Sequence, residues 1–524
     1  MSETKTIIDT ICRQYSASPS LVMGTKSEKF AKEDFEALAA DGTITIRYGS
    51  DLGGAYGAAF LSTAAKGGHV GELLGHFSPR YPLRPLWLSG EVWVNDGVRV
   101  AIPGFFTEEV LANPEEFCQD FCQRIIEFGY NAVIFGARND SATAEVSGGM
   151  RRLLDYIRSC GIKVIIKPTL AVEESLCPVD PDYNQATIQA LKSWLAALGS
   201  VDYVLWESCG QDKRFTQHRK AERYTFYDLI VEEAAMVEEA LGDKTSLIYY
   251  VPSSTTDQAL QQAKWLPKLC DDVGSCTTLA FSAVSGQPQE QWRGMHPVWE
   301  AWRRCPDVSS TPLLPIVNVG CVGEGEGLWP ILSTTRVDEV LVRMKRHNFA
   351  GMVGIANHLP TSTGFLACSL FAAGQAQWLG TTARLAAETF LAANHPDLNN
   401  DQIFHISDQA YQMVLKLAAL QEGAGDRAVL DQIFSWVKEL ENNPLTTHFV
   451  HDIKRLSVLT AKQLGIPCPN ALGSEDCKGG FWTKTSQGAS TAMATPATIT
   501  MLETPFRDEA DSGQAAVFDQ NRQY

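Results

Sequence analysis

The chain has 524 residues, of which 45% are hydrophobic and 9% aromatic, so it can form one large barrel with attachments or two to three domains. Its formal net charge of −17 argues against nucleic acid or an anionic membrane as the main partner. There is no apolar run of membrane-spanning length and no basic-then-apolar leader, so we expect neither a membrane segment nor a secretory signal, and a cytoplasmic location.

Residues 1–79 are predicted to form a small α/β domain. Helical spacing runs from Thr6 to Tyr15, strand-like alternation from Gly42 to Tyr48, and a glycine-rich helix entry from Gly53 to Leu61. These glycines have neither a Lys-Ser/Thr pair nor the G-x-G-x-x-G spacing of phosphate loops. They therefore indicate close packing of a helix on a sheet.

Residues 80–380 alternate between strand and helix patterns. The predicted strands are Leu86–Val94, Ala132–Phe135, Lys163–Pro168, Tyr203–Trp206, Ser246–Val251, Thr278–Ala283, Leu314–Val319 and Met352–Ala356. The predicted helices include Glu115–Phe128, Met150–Cys160, Asn184–Ala197, Phe226–Leu241, Ser254–Lys268 and Thr335–His347. Strands rich in Val, Ile and Leu that alternate with helices imply a parallel sheet. Eight such units in about 300 residues predict a (β/α)8 TIM barrel. The alternative is an open doubly wound sheet, which usually has fewer strands and a phosphate-type first loop.

Residues 381–468 show only helical patterns and are predicted to form a helical domain. The predicted helices are Thr382–Ala393, Ile406–Glu422, Arg427–Leu440 and Val450–Leu464. A homodimer through this domain is one candidate role for it. Residues 469–524 turn to Gly, Ser, Thr, Ala and Asp with little periodicity, which predicts a disordered tail.

The 13 cysteines are scattered without framework spacing. None forms a C-x-x-C pair, and no histidine cluster completes a zinc set. Reduced thiols that pack in the core are therefore expected. We predict no metal and no cofactor.

Polar and aromatic residues follow most of the predicted barrel strands, which is where (β/α)8 enzymes carry their chemistry. In strand order they are Glu91, Trp93 and Asn95; Arg138, Asn139 and Asp140; Lys167; Trp206, Glu207, Ser208, Cys209 and Gln211; Glu290; Asn318, Cys321, Glu324 and Glu326; and Asn357 and His358. Carboxylates share acid and base work, amides bind hydroxyls, and aromatic faces stack on sugar rings. The set therefore predicts a carbohydrate site.

Each of these residues also has a structural interpretation. Arg84, just before the first strand, would then pair with an acid near the barrel floor. Glu91 and Glu324 would be solvated loop acids. Trp206 would be a packing residue, and His358 a core histidine.

Several segments resemble family 67 α-glucuronidases: Gly161-Ile-Lys-Val-Ile-Ile-Lys-Pro168, Pro178-Val-Asp-Pro-Asp182, Trp194 and Asp202-Tyr-Val-Leu-Trp-Glu-Ser-Cys-Gly-Gln211. Gly354-Ile-Ala-Asn-His-Leu359 and Gly374-Gln-Ala-Gln-Trp378 are similar to the last barrel strand and helix of that family. The glycine-rich helix entry resembles the small α/β domain before the barrel in these enzymes and in family 20 hexosaminidases. The resemblance implies a barrel that acts on carbohydrate, with a uronate as one candidate sugar.

The catalytic carboxylates of that family are displaced in this sequence. Cys209 stands where the family has the general acid of a Ser-Glu-Gly-Gln loop, and Glu207 lies two residues earlier. After the sixth strand the nearest acid is Glu290. After the seventh strand, Glu324 and Glu326 lie beyond the aligned position.

Our first hypothesis is a glycoside hydrolase with a relocated acid–base set. Glu207 would protonate the leaving oxygen, and Glu324 or Glu326 would act as base on a water molecule. A separation of roughly 6.5–9.5 Å between carboxyls would indicate inversion, and about 5–5.5 Å retention. The predicted substrate-binding residues are Arg84, Glu91, Trp206, Cys209, Gln211, Glu290, Asn357 and His358.

Two other hypotheses fit the same residues. One is an inactive barrel that binds carbohydrate or serves as a scaffold, because a fold does not fix a function. The other is a barrel hydrolase with Cys209 as nucleophile, which needs a His or Asp that the fold brings beside the sulfur.

Overall fold

The computed structural model describes residues 3–14, 20–68, 71, 74–88, 92–94, 98–101, 114–138, 144–169, 181–208, 226–251, 262, 264–265, 268–273, 277–283, 311–319, 332–345, 349–356, 359, 364–409 and 428–440. Within these ranges no helix has both the length and the hydrophobicity that a membrane crossing requires.

The N-terminal part of the chain forms a four-stranded sheet with one helix packed on it and a second helix packed on the first. Its elements are α1 (Glu3–Gln14), β1 (Ser20–Lys26), β2 (Phe35–Ala40), β3 (Thr43–Tyr48), α2 (Asp51–Lys66) and β4 (Gly75–Phe77). The sheet order is β1-β3-β2-β4, with β1 and β3 parallel and the other pairs antiparallel. The predicted helices and the strand over residues 43–48 are present. Strands β1, β2 and β4 were not predicted.

Glycines bring helix α2 close to this sheet, as the sequence predicted. A Cβ on Gly57 would lie 2.9 Å from Ile46 and 3.0 Å from Phe35, and one on Gly54 would lie 3.1 Å from Tyr48. Larger residues would push the helix away from the strands. The glycine-rich helix entry is therefore explained by packing.

Eight parallel strands form a closed barrel, which confirms the predicted (β/α)8 fold. They are β5 (Pro85–Leu88), β8 (Ala132–Arg138), β9 (Lys163–Thr169), β10 (Tyr203–Glu207), β11 (Ser246–Val251), β12 (Thr277–Ser282), β13 (Leu313–Asn318) and β14 (Val353–Ala356). Neighbours pair in this order, and the barrel closes because β5 pairs with both β14 and β8. All eight carboxyl ends therefore open on one face.

The described helices that alternate with these strands are α3 (Pro114–Glu127), α4 (Ala144–Ser159), α5 (Pro181–Leu198), α6 (Phe226–Leu241), α7 (Thr334–Met344) and α8 (Phe365–Leu379). The bounds of α3, α5, α6 and α7 agree with the predicted helices to within a few residues, and α4 begins six residues earlier than predicted. No bounds were predicted for α8. The predicted helix over 254–268 lies mostly outside the described residues.

The first predicted strand, Leu86–Val94, is wrong as a single element. The barrel strand ends at Leu88, and Val92–Val94 forms a separate strand, β6, antiparallel to β7 (Val98–Ala101). Strand β7 in turn pairs with the end of β8. An apolar run does not distinguish one strand from two, although Gly90 marks a point where a strand can break.

The barrel strands separate two cores because successive side chains point to opposite faces. The inner core, inside the barrel, contains Leu83, Ala132, Ile134, Ile165, Leu205, Ile248, Tyr250, Ala280, Leu314, Ile316 and Val353. The outer core lies between strands and helices and includes Trp206, Tyr249 and Phe281.

Helix α8 joins the N-terminal sheet to the barrel. Residues Phe365 to Trp378 of this helix are all buried. The Trp378 ring lies 5.3 Å from that of Phe35, 5.7 Å from Tyr56 and 5.0 Å from Phe60, measured between ring centroids. The last helix of the barrel therefore completes the core of the first domain in sequence.

Beyond the barrel the described residues are helical. They form α9 (Ala383–Asn394), a helical segment over residues 400–409, and α10 (Ala428–Leu440). Helix α9 packs on α2, α7 and α8. The predicted helix over 406–422 is described only as far as residue 409, and the one over 450–464 and the predicted tail lie outside the described residues. The domain limits and the homodimer remain predictions.

Candidate functional site

Five polar or aromatic side chains belong to the carboxyl end of the barrel interior. They are Trp87 on β5, Lys167 on β9, Glu207 on β10, Tyr250 on β11 and Ser282 on β12, and we call them the polar row. The strand alternation explains why they share one face of the sheet. In the same strands the residue two positions earlier than Lys167, Glu207, Tyr250 and Ser282 belongs to the inner core.

Glu207 and Lys167 form an ion pair between adjacent strands. The Lys167 Nζ contacts the Glu207 Oε2, and the two side chains are 24% and 37% exposed, respectively. Glu207 is the last residue of β10, so its carboxylate lies where the strand meets the loop. Both charges are therefore accessible to a ligand at the mouth of the barrel.

Trp87 provides an aromatic face beside this pair. The Lys167 ammonium lies 5.1 Å from the centroid of the Trp87 ring, within range of a cation–π interaction. The ring of Tyr250 meets that of Trp87 edge to face, with centroids 6.2 Å apart and an angle of 88°. Trp87 is thus fixed by neighbours from two other strands.

Tyr250 is buried and supplies a neutral hydroxyl. Its Oη lies 2.9 Å from the Ser282 Oγ, and either hydroxyl can be the donor of this hydrogen bond. Burial raises the pKa of the Tyr250 phenol, the negative charge of Glu207 raises it further, and the hydrogen bond from Ser282 lowers it in part. The phenol therefore stays protonated at neutral pH.

The polar row combines the groups that a polyol requires. Lys167 offers N–H donors, Glu207 offers acceptors, and Tyr250 with Ser282 offers hydroxyls that act either way. Trp87 adds an apolar ring of the kind that lines sugar sites. This arrangement is suited to binding a sugar ring with several hydroxyl groups.

The structure places two other predicted site residues away from this row. Trp206 is buried in the outer core, on the opposite side of β10 from Glu207, which agrees with its packing interpretation. Arg84 lies just before β5, at the amino end of the barrel, and is 0% exposed. Its guanidinium pairs with Glu33 of the N-terminal domain, which agrees with the alternative of an ion pair near the barrel floor.

The other predicted site residues lie outside the described part of the chain: Glu91, Cys209, Gln211, Glu290, Glu324, Glu326, Asn357 and His358. In sequence, each follows the carboxyl end of a barrel strand. Because the eight strands are parallel, those ends share the face that carries the polar row.

Sequence reasoning missed Trp87, Tyr250 and Ser282 as site residues. Each lies within a predicted strand, in a run of apolar neighbours, whereas the predicted site residues were mostly taken from the polar residues after the strands. The available signal was the period of two. Tyr250 and Ser282 fall on the same strand face as Ile248 and Ala280 of the inner core, one layer nearer the carboxyl end, and Trp87 alternates with Leu86 and Leu88 of the outer core.

No protein-family model matches the sequence, and a search of curated protein sequences finds no match. Solved structures do resemble the fold. A family 138 glycoside hydrolase, described as targeting pectin rhamnogalacturonan II, has a TM-score of 0.52 at 10% identity, over 88% of this chain and 67% of that one.

Two family 20 enzymes resemble the chain less closely. The β-N-acetylhexosaminidase of Streptomyces coelicolor A3(2) has a TM-score of 0.45 at 10% identity, over 77% of this chain and 90% of that one. The exo-β-N-acetylglucosaminidase of Vibrio harveyi has a TM-score of 0.45 at 10% identity, over 77% and 73%. At such identities a likeness concerns the fold, and the family 138 structure supports the barrel. The family 67 resemblance remains a prediction.

Proposed function

We propose that this protein is a glycoside hydrolase whose site is at the carboxyl face of the barrel. The observation that carries the proposal is the Lys167–Glu207 ion pair beside the aromatic face of Trp87. A carboxylate, a donor cation and an aromatic ring at the mouth of a closed barrel match what glycoside chemistry needs. The barrel it shares with glycosidases of known structure is consistent with this function.

Glu207 serves best as the carboxylate that reacts in its ionised form. In the ion pair Glu207 carries a negative charge and Lys167 a positive one. We therefore exchange the roles of the sequence hypothesis. Glu207 acts as the nucleophile of a retaining reaction or as the base that activates water in an inverting one.

The proton donor in this scheme is Glu324 or Glu326. Both belong to the segment that follows β13, whose carboxyl end opens on the same face as that of β10. One of them would protonate the glycosidic oxygen as the bond breaks. Arg84 and Trp206 take no part in this scheme. Arg84 is paired with Glu33, and Trp206 lies in the outer core.

A protein that binds carbohydrate without cleaving it is the second candidate. The observation that favours it is that Glu207 is the one acid in the polar row, whereas glycosidic cleavage by this route takes two carboxyl groups. The cysteine hydrolase hypothesis for Cys209 ranks third, since no histidine neighbours Cys209 in the sequence and the reaction needs a base beside the sulfur.

The test is turnover of aryl glycosides and oligosaccharides by the purified chain and by Glu207→Gln, Glu324→Gln and Glu326→Gln. The matched control is Glu239→Gln, an exposed acid on α6. We expect Glu207→Gln and one loop variant to lose about 100-fold or more in rate, with the control unchanged.

The other outcomes separate the candidates. Binding by calorimetry without turnover in the wild type would favour the carbohydrate-binding protein. Turnover that survives Glu207→Gln and is lost in Cys209→Ser would assign the reaction to the cysteine. An absence of both turnover and binding across the panel would refute a carbohydrate function.

A further inference from the structure

We propose that the polar row selects an uncharged sugar over a uronate or another anionic saccharide. This inference rests on the proposed carbohydrate function and narrows its substrate class. It also departs from the uronate that the family resemblance implies. The inference is argued from the charges of Lys167 and Glu207.

The positive charge of Lys167 is already used within the site. Its ammonium contacts the Glu207 carboxylate on one side and lies over the Trp87 ring on another. The two charged side chains of the polar row therefore cancel. An anionic ligand that contacts Lys167 would have to share the single positive charge of its ammonium with Glu207.

Such a ligand would also approach a fixed negative charge. The carboxyl group of a uronate near Lys167 would lie close to the Glu207 carboxylate, and like charges at short range repel. Tyr250 adds no positive charge to offset this repulsion, because it is a neutral phenol hydrogen-bonded to Ser282. The formal net charge of −17 adds a weaker, longer-range repulsion.

Arg84, which the sequence suggested as a ligand for the sugar, is not available for that purpose. Its Nε and Nη1 donate to the carbonyl oxygens of Gly129 and Tyr81 at 2.8 and 2.7 Å, and its Nη2 pairs with Glu33. The group is fully buried at the amino end of the barrel.

Neutral hydroxyls fit the ion pair without breaking it. One sugar hydroxyl can accept from the Lys167 ammonium while its neighbour donates to the Glu207 carboxylate, so both protein charges keep their partners. The Trp87 face beside them suits the apolar side of an uncharged ring. A pair of adjacent hydroxyls is therefore the group that this site recognises.

The experiment compares matched sugars that differ only at C6. The pairs are glucose with glucuronate, galactose with galacturonate, and mannose with mannuronate, each as free sugar and short oligosaccharide. Binding is measured by calorimetry and by tryptophan fluorescence. We expect the neutral member of the bound pair to have an affinity about tenfold higher or more. We expect the neutral sugar to bind more tightly than the uronate at both low and high salt. Salt screens the distant charges of the protein, but not the repulsion between Glu207 and a carboxylate that lies close to it.

Two variants test whether the ion pair sets this preference. Glu207→Gln leaves the Lys167 charge without a partner, so affinity for the uronate should rise relative to the neutral sugar. Lys167→Met leaves Glu207 unpaired, so discrimination against the uronate should increase. The matched control is Lys163→Met, a lysine on the same strand and the same sheet face at the amino end of the barrel, and it should leave the preference unchanged.

Three results would overturn the inference. The first is tighter binding of the uronate by the wild type. If that binding is lost in Arg138→Met, the anion is held by the arginine that ends β8. The second is a neutral preference that disappears in high salt, which would assign it to the net charge. The third is a preference unchanged in Glu207→Gln and Lys167→Met. Failure to bind any sugar would instead refute the proposed function itself.

Discussion

The guanidinium of Arg84 and the carboxylate of Glu33 form an ion pair that joins the barrel to the N-terminal domain. Arg84 is wholly inaccessible to solvent, and the same Glu33 carboxylate accepts a hydrogen bond from the Asn131 amide at 2.8 Å. Asn131 also accepts from the Arg84 backbone N–H, at 2.8 Å. The three residues thus form a closed network at the amino end of the barrel, which the Arg84 backbone N–H completes.

Glu33→Ala is expected to destabilise the protein by about 3–5 kcal/mol, because it leaves the buried Arg84 charge without a counter-ion. The control is Glu36→Ala, which removes a 3.0 Å ion pair with the half-exposed Arg47 on the same sheet and should cost less than about 1 kcal/mol. Urea denaturation measures both. Equal costs would show that burial of Arg84 does not matter to stability.

Trp87→Ala is expected to weaken sugar binding by about tenfold, since it removes the aromatic face of the polar row. Trp206→Phe is the comparison, because Trp206 lies in the outer core and should affect stability more than binding. Calorimetric titration with the best sugar of the panel gives both affinities. If the two variants bind equally well, Trp87 is not the sugar platform.

Glu127→Gln is expected to stabilise the fold at pH 7 and to have no such effect near pH 4. Burial raises the pKa of the Glu127 carboxyl above its ordinary value of 4.5, and the hydrogen bond from Gln123 and the charges of Arg124 and Lys66 offset this only in part. The folded state therefore binds the proton more tightly than the unfolded chain. The stability that protonated Glu127 contributes is fully present below the pKa of the unfolded chain and is lost as the pH rises through the pKa of the folded state.

Melting temperatures of the wild type and Glu127→Gln, measured from pH 4 to pH 8, test this sign. The difference should grow with pH and then level off. A difference that is constant over this range would mean that Glu127 titrates alike in the folded and unfolded chain.

Asp338→Ala is expected to cost about 1 kcal/mol, because Asp338 of α7 accepts hydrogen bonds from the Ala383 and Arg384 backbone N–H groups at the start of α9. The control is Asp155→Ala, an exposed position on α4. Hydrogen exchange of the first turn of α9 should rise in the first variant alone. Unchanged exchange would mean that α9 is held by packing without this cap.

The barrel was predictable from sequence because its signal is local. Each strand is a short apolar run, and most of the strands are followed by a helix with a clear period. Glu207 was found for the same reason, since an acid at the end of an apolar run is visible in one segment. Strand β6 was misread because nothing local separates it from β5 except Gly90.

Contacts between distant segments were beyond this reasoning. Glu33 precedes Arg84 by 51 residues, and no spacing rule links them. The polar row brings together single residues from five strands, and each of Trp87, Tyr250 and Ser282 looks like core in its own segment. The fold brings them together: Glu207 is in register with Tyr250, whose hydroxyl meets Ser282 and whose ring meets Trp87.

The position of Trp378 has a consequence for synthesis on the ribosome. Phe35, Tyr56 and Phe60 emerge early, but the indole that packs against all three belongs to helix α8 and is made only after every strand of the barrel. The surface of the N-terminal domain that Trp378 covers therefore stays exposed until the end of the barrel has been translated. A nascent chain that ends before Phe365 lacks this indole, so the rings of Phe35, Tyr56 and Phe60 are then without one of their packing partners.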